Sequence, residues 1–393
     1  MYETLKEKFT AHFGRAAQYL FSAPGRTELG GNHTDHQLGR VLAAAVSVDT
    51  VAAVAENGEN LIRVLSEGYP LCEISLDALA VRPEEYGSTA ALIRGMAAGI
   101  AARGCAVPGF DAYVTSRVLP GSGLSSSAAF EVLIGTVINH LSACGLTPLQ
   151  VAQLGQYAEN VYFGKPCGLM DQAASSIGGV ITIDFADQAA PQVEHLSLDL
   201  AQYGYALCII DSGADHADLT DEYAAIPGEL GVVSRVFGKE HLRQVPEADF
   251  YARLSEVRRI AGDRAVLRAV HIYEDNRRVT AQVAALKAGD FDRFLALVRQ
   301  SGRSSWTLLQ NVVPAGYTTH QELAVALTLA EKLLGGRGAC RVHGGGFAGT
   351  IQAFVPLDML DAFKDHMELY LGAGSCAVLN IRPEGGVLLE VCK

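Results

Sequence analysis

Three stretches of the chain supply between them glycines, hydroxyls and carboxylates in a way that suits phosphate and a polar small molecule. The first, SAPGRTELGGNHTDHQLGRVLAAAV (residues 22–46), sets Arg26, Glu28, Asn32, His33, Asp35 and His36 between a proline–glycine pair, read as a turn, and an apolar run. The second, PGSGLSSSAA (residues 120–129), has glycines at 121 and 123 and three serines where a helix is expected to start. Glycine lets the backbone approach a ligand with no Cβ in the way. Unpaired N–H groups and the helix dipole then favour an anion at the helix start. The same residues also suit a capped helix after a tight turn. The common phosphate loop GxxxxGK[ST] is absent, and this segment holds no lysine.

The third stretch, AENVYFGKPCGLMDQ (residues 158–172), carries Asp171 beside apolar Leu169 and Met170. A carboxylate facing a pocket there could orient a hydroxyl or accept its proton. Glu159, on an expected helix, could give Mg²⁺ a hard oxygen ligand. The alternatives are an Asp171 that caps the next helix and a Glu159 that is merely solvated. Late in the chain, RVHGGGFAGTIQAF (residues 341–354) has three consecutive glycines. Close approach to another segment would explain them, and so would a plain hairpin turn. A metal site on His33, Asp35 and His36 is a poor reading, because near-adjacent residues rarely converge on one ion. Cys167 has no neighbouring base and reads as packing.

The elements that must position these residues follow from periodicity. A helix is expected over residues 2–13, with strands at 19–23, 41–55 and 61–65, the last two flanking the turn signal ENGEN. Residues 88–104 have helical spacing, and 110–118 alternate like a half-buried strand. After the glycine–serine run, Ala129, Val132, Leu133, Thr136, Val137 and Leu141 share one helical face. A helix over 148–163 and a strand over 180–185 follow. A strand over 206–212 opens a second half, helical from Tyr223 to about Leu334, which closes with strands and one helix. The boundary between two domains, 1–205 and 206–393, is expected there.

At 393 residues, 49% hydrophobic and 19% charged, the chain has material for two globular cores. A formal charge of −12 argues against nucleic acid or acidic membrane as a partner. No apolar run has the length of a membrane span, and the first residues lack the apolar core of a secretory signal. Eight scattered cysteines without a CxxC pair point to a reducing compartment. A cytoplasmic protein with free thiols is expected.

The order of these signatures resembles the galactokinase branch of the GHMP small-molecule kinases. The similarity extends to residues 219–245 and 269–305 and so spans nearly the whole chain. The resemblance implies an α+β GHMP kinase fold, with an N-terminal α/β domain, a C-terminal ferredoxin-like α+β domain and the active site in the cleft between. It implies ATP as co-substrate, wrapped by Gly121, Ser122, Gly123, Leu124, Ser125, Ser126, Ser127 and Ala128, with Mg²⁺ on Ser127 and Glu159. Asp171 matches the catalytic aspartate and Arg26 the arginine beside it. Asn32, His33, Asp35, Gly168 and Tyr223 match positions at the sugar. The implied activity is phosphorylation of the anomeric hydroxyl of galactose or a close relative. The implied partners are the sugar and ATP alone, in a monomer or weak homo-oligomer.

The chain departs from the family within the opening signature. Galactokinases carry Gly-Glu-His-Thr-Asp-Tyr where this chain reads Gly31-Asn32-His33-Thr34-Asp35-His36. Asn32 thus replaces a glutamate that the resemblance places near the sugar 6-hydroxyl, and Glu28 stands where galactokinases usually have Asn. Three readings stay open: galactose with a weaker hydrogen bond, a sugar altered at C6 such as a uronic acid, or compensation elsewhere. A sugar- and ATP-binding regulator without turnover is the reading from another class. The intact serine run and Asp171 speak against it.

Overall fold

The computed structural model describes residues 2–118, 123–214 and 219–392. The first half comprises helix α1 (Tyr2–Phe13) and strands β1 (Tyr19–Gly30), β2 (Arg40–Glu56), β3 (Leu61–Ser66) and β4 (Cys72–Ser75). Helix α2 (Thr89–Ala101), β5 (Phe110–Ser116) and helices α3 (Ser126–Leu141), α4 (Pro148–Tyr157) and α5 (Met170–Ile177) come next. Strands β6 (Val180–Asp184) and β7 (Gln192–Leu196) close it. The second half begins at β8 (Tyr205–Asp211) and continues through α6 (Thr220–Val236), α7 (Glu247–Ala252) and α8 (Leu254–Ala261). Helices α9 (Asp263–Lys287), α10 (Phe291–Ser304) and α11 (Glu322–Leu334) precede β9 (Ala339–Val342) and β10 (Thr350–Pro356). Helix α12 (Leu360–Leu371), β11 (Cys376–Leu379) and β12 (Val387–Val391) end the chain.

Local chemistry sets the helix starts. The Ser88 hydroxyl accepts from the Ala91 N–H at the head of α2. At α4, Thr147 and Gln150 form a reciprocal cap ahead of Pro148, whose missing N–H costs nothing in a first turn. Beyond α4 the chain makes a π-helical turn over Ala158–Phe163, so the expected single helix ends early. That turn carries Glu159, and wide turns of this kind often serve functional residues.

The larger sheet runs β12-β1-β2-β5-β3-β4, and β6 and β7 extend from β2. Strand β2 serves two neighbours, pairing with β6 over Arg40–Ala44 and with β5 over Thr50–Glu56. The smaller sheet is β11-β8-β10-β9, antiparallel throughout. One core lies between the larger sheet and α2–α4, around Phe21, Ile93, Phe110 and Leu133. A second is shared by both halves, since Leu29 and Leu42 pack in one cluster with Leu207, Phe294 and Phe354. Strand β12 also returns to the first sheet, where Val391 pairs with Tyr19. A continuous apolar core therefore fixes elements of the two halves relative to one another.

Two expectations need correction. Pro24 and Gly25 form no turn: β1 runs straight through them, so Arg26 and Glu28 lie on a core strand rather than a loop. The strand absorbs the proline with a register shift between Pro24 and Arg26, where a ladder N–H is missing. The thiols are not all free, because Cys105 and Cys144 form a disulfide linking the segments that follow α2 and α3. Among the described residues, no helix is long and apolar enough to cross a membrane.

Candidate active site

Arg26 leaves β1 nine-tenths buried and is held in place by its own backbone, whose N–H donates to the Leu124 carbonyl at 3.0 Å. Its Nε donates to Asp171 Oδ1 at 2.7 Å and its Nη2 to Oδ2 at 2.8 Å. The third nitrogen, Nη1, donates to the Gly123 carbonyl. Asp171 sits in the first turn of α5, where the helix dipole also favours a negative charge. The Ser125 hydroxyl donates to Asp171 Oδ2 from a residue in the left-handed backbone region, with φ at 58°. Burial alone would raise the Asp171 pKa. The Arg26 charge, its paired hydrogen bonds and the Ser125 hydroxyl outweigh that and hold the carboxyl below its ordinary value.

The glycine–serine run and Glu159 converge next to this pair. Gly121 and Ser122 lie outside the described residues. Gly123, Leu124 and Ser125 lead into α3, whose first turn contains Ser126, Ser127 and Ala128. Ser127 donates to Glu159 Oε1 at 3.3 Å, and Lys165 Nζ stands 3.8 Å from the same oxygen. Glu131, one turn after Ser127, escaped the sequence reading. Gln172, the neighbour of Asp171, donates from one amide nitrogen to Glu131 at 3.0 Å and to Glu159 at 2.9 Å. Burial first, then the Glu159 charge, push the Glu131 pKa well above its ordinary value. The only sequence signal was a carboxylate on the apolar face of α3.

Among the described residues no group of three or more His, Cys, Asp or Glu is arranged to hold a metal. Mg²⁺ does not require one. It commonly takes one or two protein oxygens and fills its shell with water and substrate phosphate. The adjoining Ser127 hydroxyl and Glu159 carboxylate fit that pattern.

Asp35 lies across from Gly168, and the closeness explains the glycine. A Cβ on residue 168 would stand 1.8 Å from Asp35 Oδ2, so only a bare Cα lets the carboxylate settle there. His36 donates its backbone N–H to Asp35 Oδ1 at 2.9 Å, and its Nε2 lies 3.0 Å from the Tyr223 hydroxyl. The His33 ring packs 5.2 Å from the Tyr223 ring. Tyr223 itself crosses the triple-glycine turn, where a Cβ on Gly345 would be 2.6 Å from its ring. Gly345 thus admits the neighbouring tyrosine, while a Cβ on Gly346 would meet the Asn311 carbonyl at 2.2 Å. A cavity of about 370 Å³ opens beside Asp35 and Gly168 and is lined by His36, Asn160, Phe185 and His241.

Asn32 is placed differently from the rest. It is fully buried, and its side chain is occupied by protein on both sides. Its Nδ2 donates to Glu28 at 3.1 Å and to the Gly344 carbonyl at 2.7 Å. Its Oδ1 accepts from Asn311 at 2.8 Å and from Ser305 at 3.2 Å. Glu28 in turn pairs with Arg341, which is also fully buried. The two departures seen in the sequence are therefore in contact with each other. The resemblance expects a carboxylate at position 32, and this chain has one at 28 instead, behind the amide and paired with Arg341. Cys167 shows no activation: burial, then the nearby Glu159 and Glu131, push its thiol upward.

Comparison with known proteins gives matches of two kinds. Residues 7–56 match the galactokinase galactose-binding signature, and residues 90–179 match the N-terminal domain of GHMP kinases. The galactokinase of Lactococcus lactis, solved with galactose, superposes with a TM-score of 0.84 at 26% identity, over 99% of this chain and 100% of that one. Both matches and the superposition make the chain similar to the galactokinase branch of the GHMP kinases. Two more distant solved structures share the fold. The mevalonate kinase of Methanococcus jannaschii has a TM-score of 0.66 at 13% identity, over 93% of this chain and 99% of that one. A D-glycero-D-manno-heptose 1-phosphate kinase from Bacteroides thetaiotaomicron has 0.65 at 15% identity, over 95% and 99%. These likenesses support a galactokinase-like sugar kinase, and GHMP kinases use ATP as co-substrate.

Proposed function

We propose that this kinase transfers the γ-phosphoryl group of ATP to the anomeric hydroxyl of galactose. The observation that carries the reading is Asp171, held ionised by Arg26 and Ser125 at the point where the glycine–serine run meets α5. Phosphoryl transfer needs little covalent help from the protein and depends on positioning and charge neutralisation. Residues 121–128 would hold the nucleotide phosphates on the N–H groups heading α3. Ser127 and Glu159 would hold Mg²⁺, which supplies neutralisation of the phosphates. Asp35, His33 and Tyr223 would fix the sugar ring, and Asp171 would face its anomeric hydroxyl. A carboxylate with a lowered pKa is a weak base. Asp171 therefore orients the hydroxyl and takes its proton late, once the oxygen has begun to bond to phosphorus.

The reading with a C6-anionic sugar rested on a carboxylate missing at position 32. Asn32 is turned into the protein and touches Glu28, so no observation favours that reading. The test is ATP consumption with galactose, galacturonate, N-acetylgalactosamine, glucose and arabinose, followed by locating the phosphate on the product by phosphorus NMR. A galactose product with an anomeric phosphate is expected. Turnover of galacturonate alone, or sugar binding with no turnover at all, would overturn the proposal.

A further inference from the structure

The residue after Asn32 is strained. His33 has φ at 61°, in the left-handed region that a residue with a side chain seldom adopts. Such a conformation persists only where the surroundings enforce it. Both flanks are tied down. Asn32 donates its N–H to Asp275 at 2.8 Å and accepts at its carbonyl from His271 at 3.1 Å. Its amide bridges Glu28, Gly344, Ser305 and Asn311, which come from β1, the glycine turn and the segment after α10. On the other flank, His33 Nε2 lies 2.9 Å from the Gly345 carbonyl. That contact fixes the proton on Nε2 and leaves Nδ1 as an acceptor, buried and without a protein partner.

We propose that Asn32, backed by Glu28 and Arg341, is a positioning residue that locks the strained backbone of the sugar signature at His33, and that Asn32 itself makes no sugar contact. The inference rests on the sugar-kinase reading above for the identity of the ligand. Glu28 is essential to the lock because it accepts from both the Asn32 amide and Arg341. Without it a buried guanidinium and a buried amide each lose an acceptor.

Two measurements test this. The first is calorimetric affinity for galactose and 6-deoxygalactose, in the wild type and in Asn32→Ala. A positioning residue weakens both sugars by the same factor, about tenfold or more for a misplaced binding group. A residue touching the 6-hydroxyl weakens galactose and leaves 6-deoxygalactose nearly unchanged, and that outcome overturns the proposal. The second is thermal unfolding of Glu28→Asn, Asn32→Glu and the double exchange. If the pair is one unit, the exchange recovers most of the Tm lost in either single variant. Additive losses would overturn it. If the wild type binds neither sugar, the sugar-kinase reading fails, and the unfolding cycle still decides whether Glu28 and Asn32 act together.

Discussion

Arg26 and Asp171, 145 residues apart in sequence, meet through two parallel hydrogen bonds of 2.7 and 2.8 Å, and Arg26 uses its third nitrogen on the Gly123 carbonyl. One guanidinium thus ties the carboxylate proposed to orient the acceptor hydroxyl to the loop expected to carry phosphate. A planar fork can do this and an ammonium cannot. Asp171→Asn should lower kcat by about 10²–10⁴-fold, the usual reach of a positioned acid–base group. ATP affinity, measured by calorimetry, should stay within about twofold. Arg26→Lys should lower kcat as well, since the charge remains but the fork is lost. Unchanged turnover in either variant would remove this pair from the mechanism.

The same contacts set the pH response. Ionised Asp171 is stabilised by Arg26 and by the Ser125 hydroxyl, so kcat/KM should be flat through neutral pH and fall only well into the acid range. Ser125→Ala removes a hydrogen bond to the charged form, which raises the pKa. The acid limb of the profile should then move to higher pH, and a limb that stays in place would show that Ser125 does not reach the working carboxylate.

Gly168→Ala isolates the sugar side. The added Cβ would overlap Asp35 Oδ2 and push the carboxylate aside. The KM for sugar should rise about tenfold or more while the KM for ATP holds, because a displaced positioning group costs binding at its own site. Equal changes in both constants would mean the loop itself has been disrupted.

Glu159→Gln keeps the hydrogen bond from Gln172 within reach but removes a hard anionic oxygen. The Mg²⁺ concentration for half-maximal activity should rise about tenfold, since charge dominates Mg²⁺ binding by a carboxylate. An unchanged Mg²⁺ requirement would assign the metal to other ligands.

Much of this was readable in the sequence, for physical reasons that also mark the limits. Helices such as α2 and α3 announce themselves by apolar spacing, strand β5 by alternation and β3 by the turn signal before it. The first half of the polar signature was misread because Pro24 and Gly25 are turn residues by composition, and only pairing with β2 shows that the strand carries on through them. Strands β4 and β7, of four and five residues, are too short to show a period. Arg26 meets Asp171 and Ser127 meets Glu159, residues that the motifs had singled out one by one. Glu131 and Gln172 were missed because a polar residue on a buried face leaves no local pattern. Asn32 was expected at the sugar from its place in the signature, whereas its contacts come from chain some 240 to 310 residues away. Contacts at that range are set by topology, which no short motif encodes.

Three buried histidines make stability depend on pH in a definite direction. Burial, then the neighbouring His36, lower the His33 pKa to about 3, and burial also lowers His271 and His343. In the unfolded chain each would titrate near its ordinary value of about 6.5. Between the folded and unfolded values the unfolded state therefore binds more protons, so stability rises with pH across that window. It is complete above about pH 6.5 and is lost as the pH falls, at up to about 1.4 kcal/mol per pH unit for each histidine. Buried Glu28 and Glu131, with raised pKa values, oppose the trend, so a variant is needed to isolate the histidines. The Tm at pH 5 should lie several degrees below that at pH 7.5, and His33→Asn, which cannot titrate, should narrow the gap. A gap that does not change in His33→Asn would mean that His33 binds protons equally in the folded and unfolded protein, so that burial does not lower its pKa.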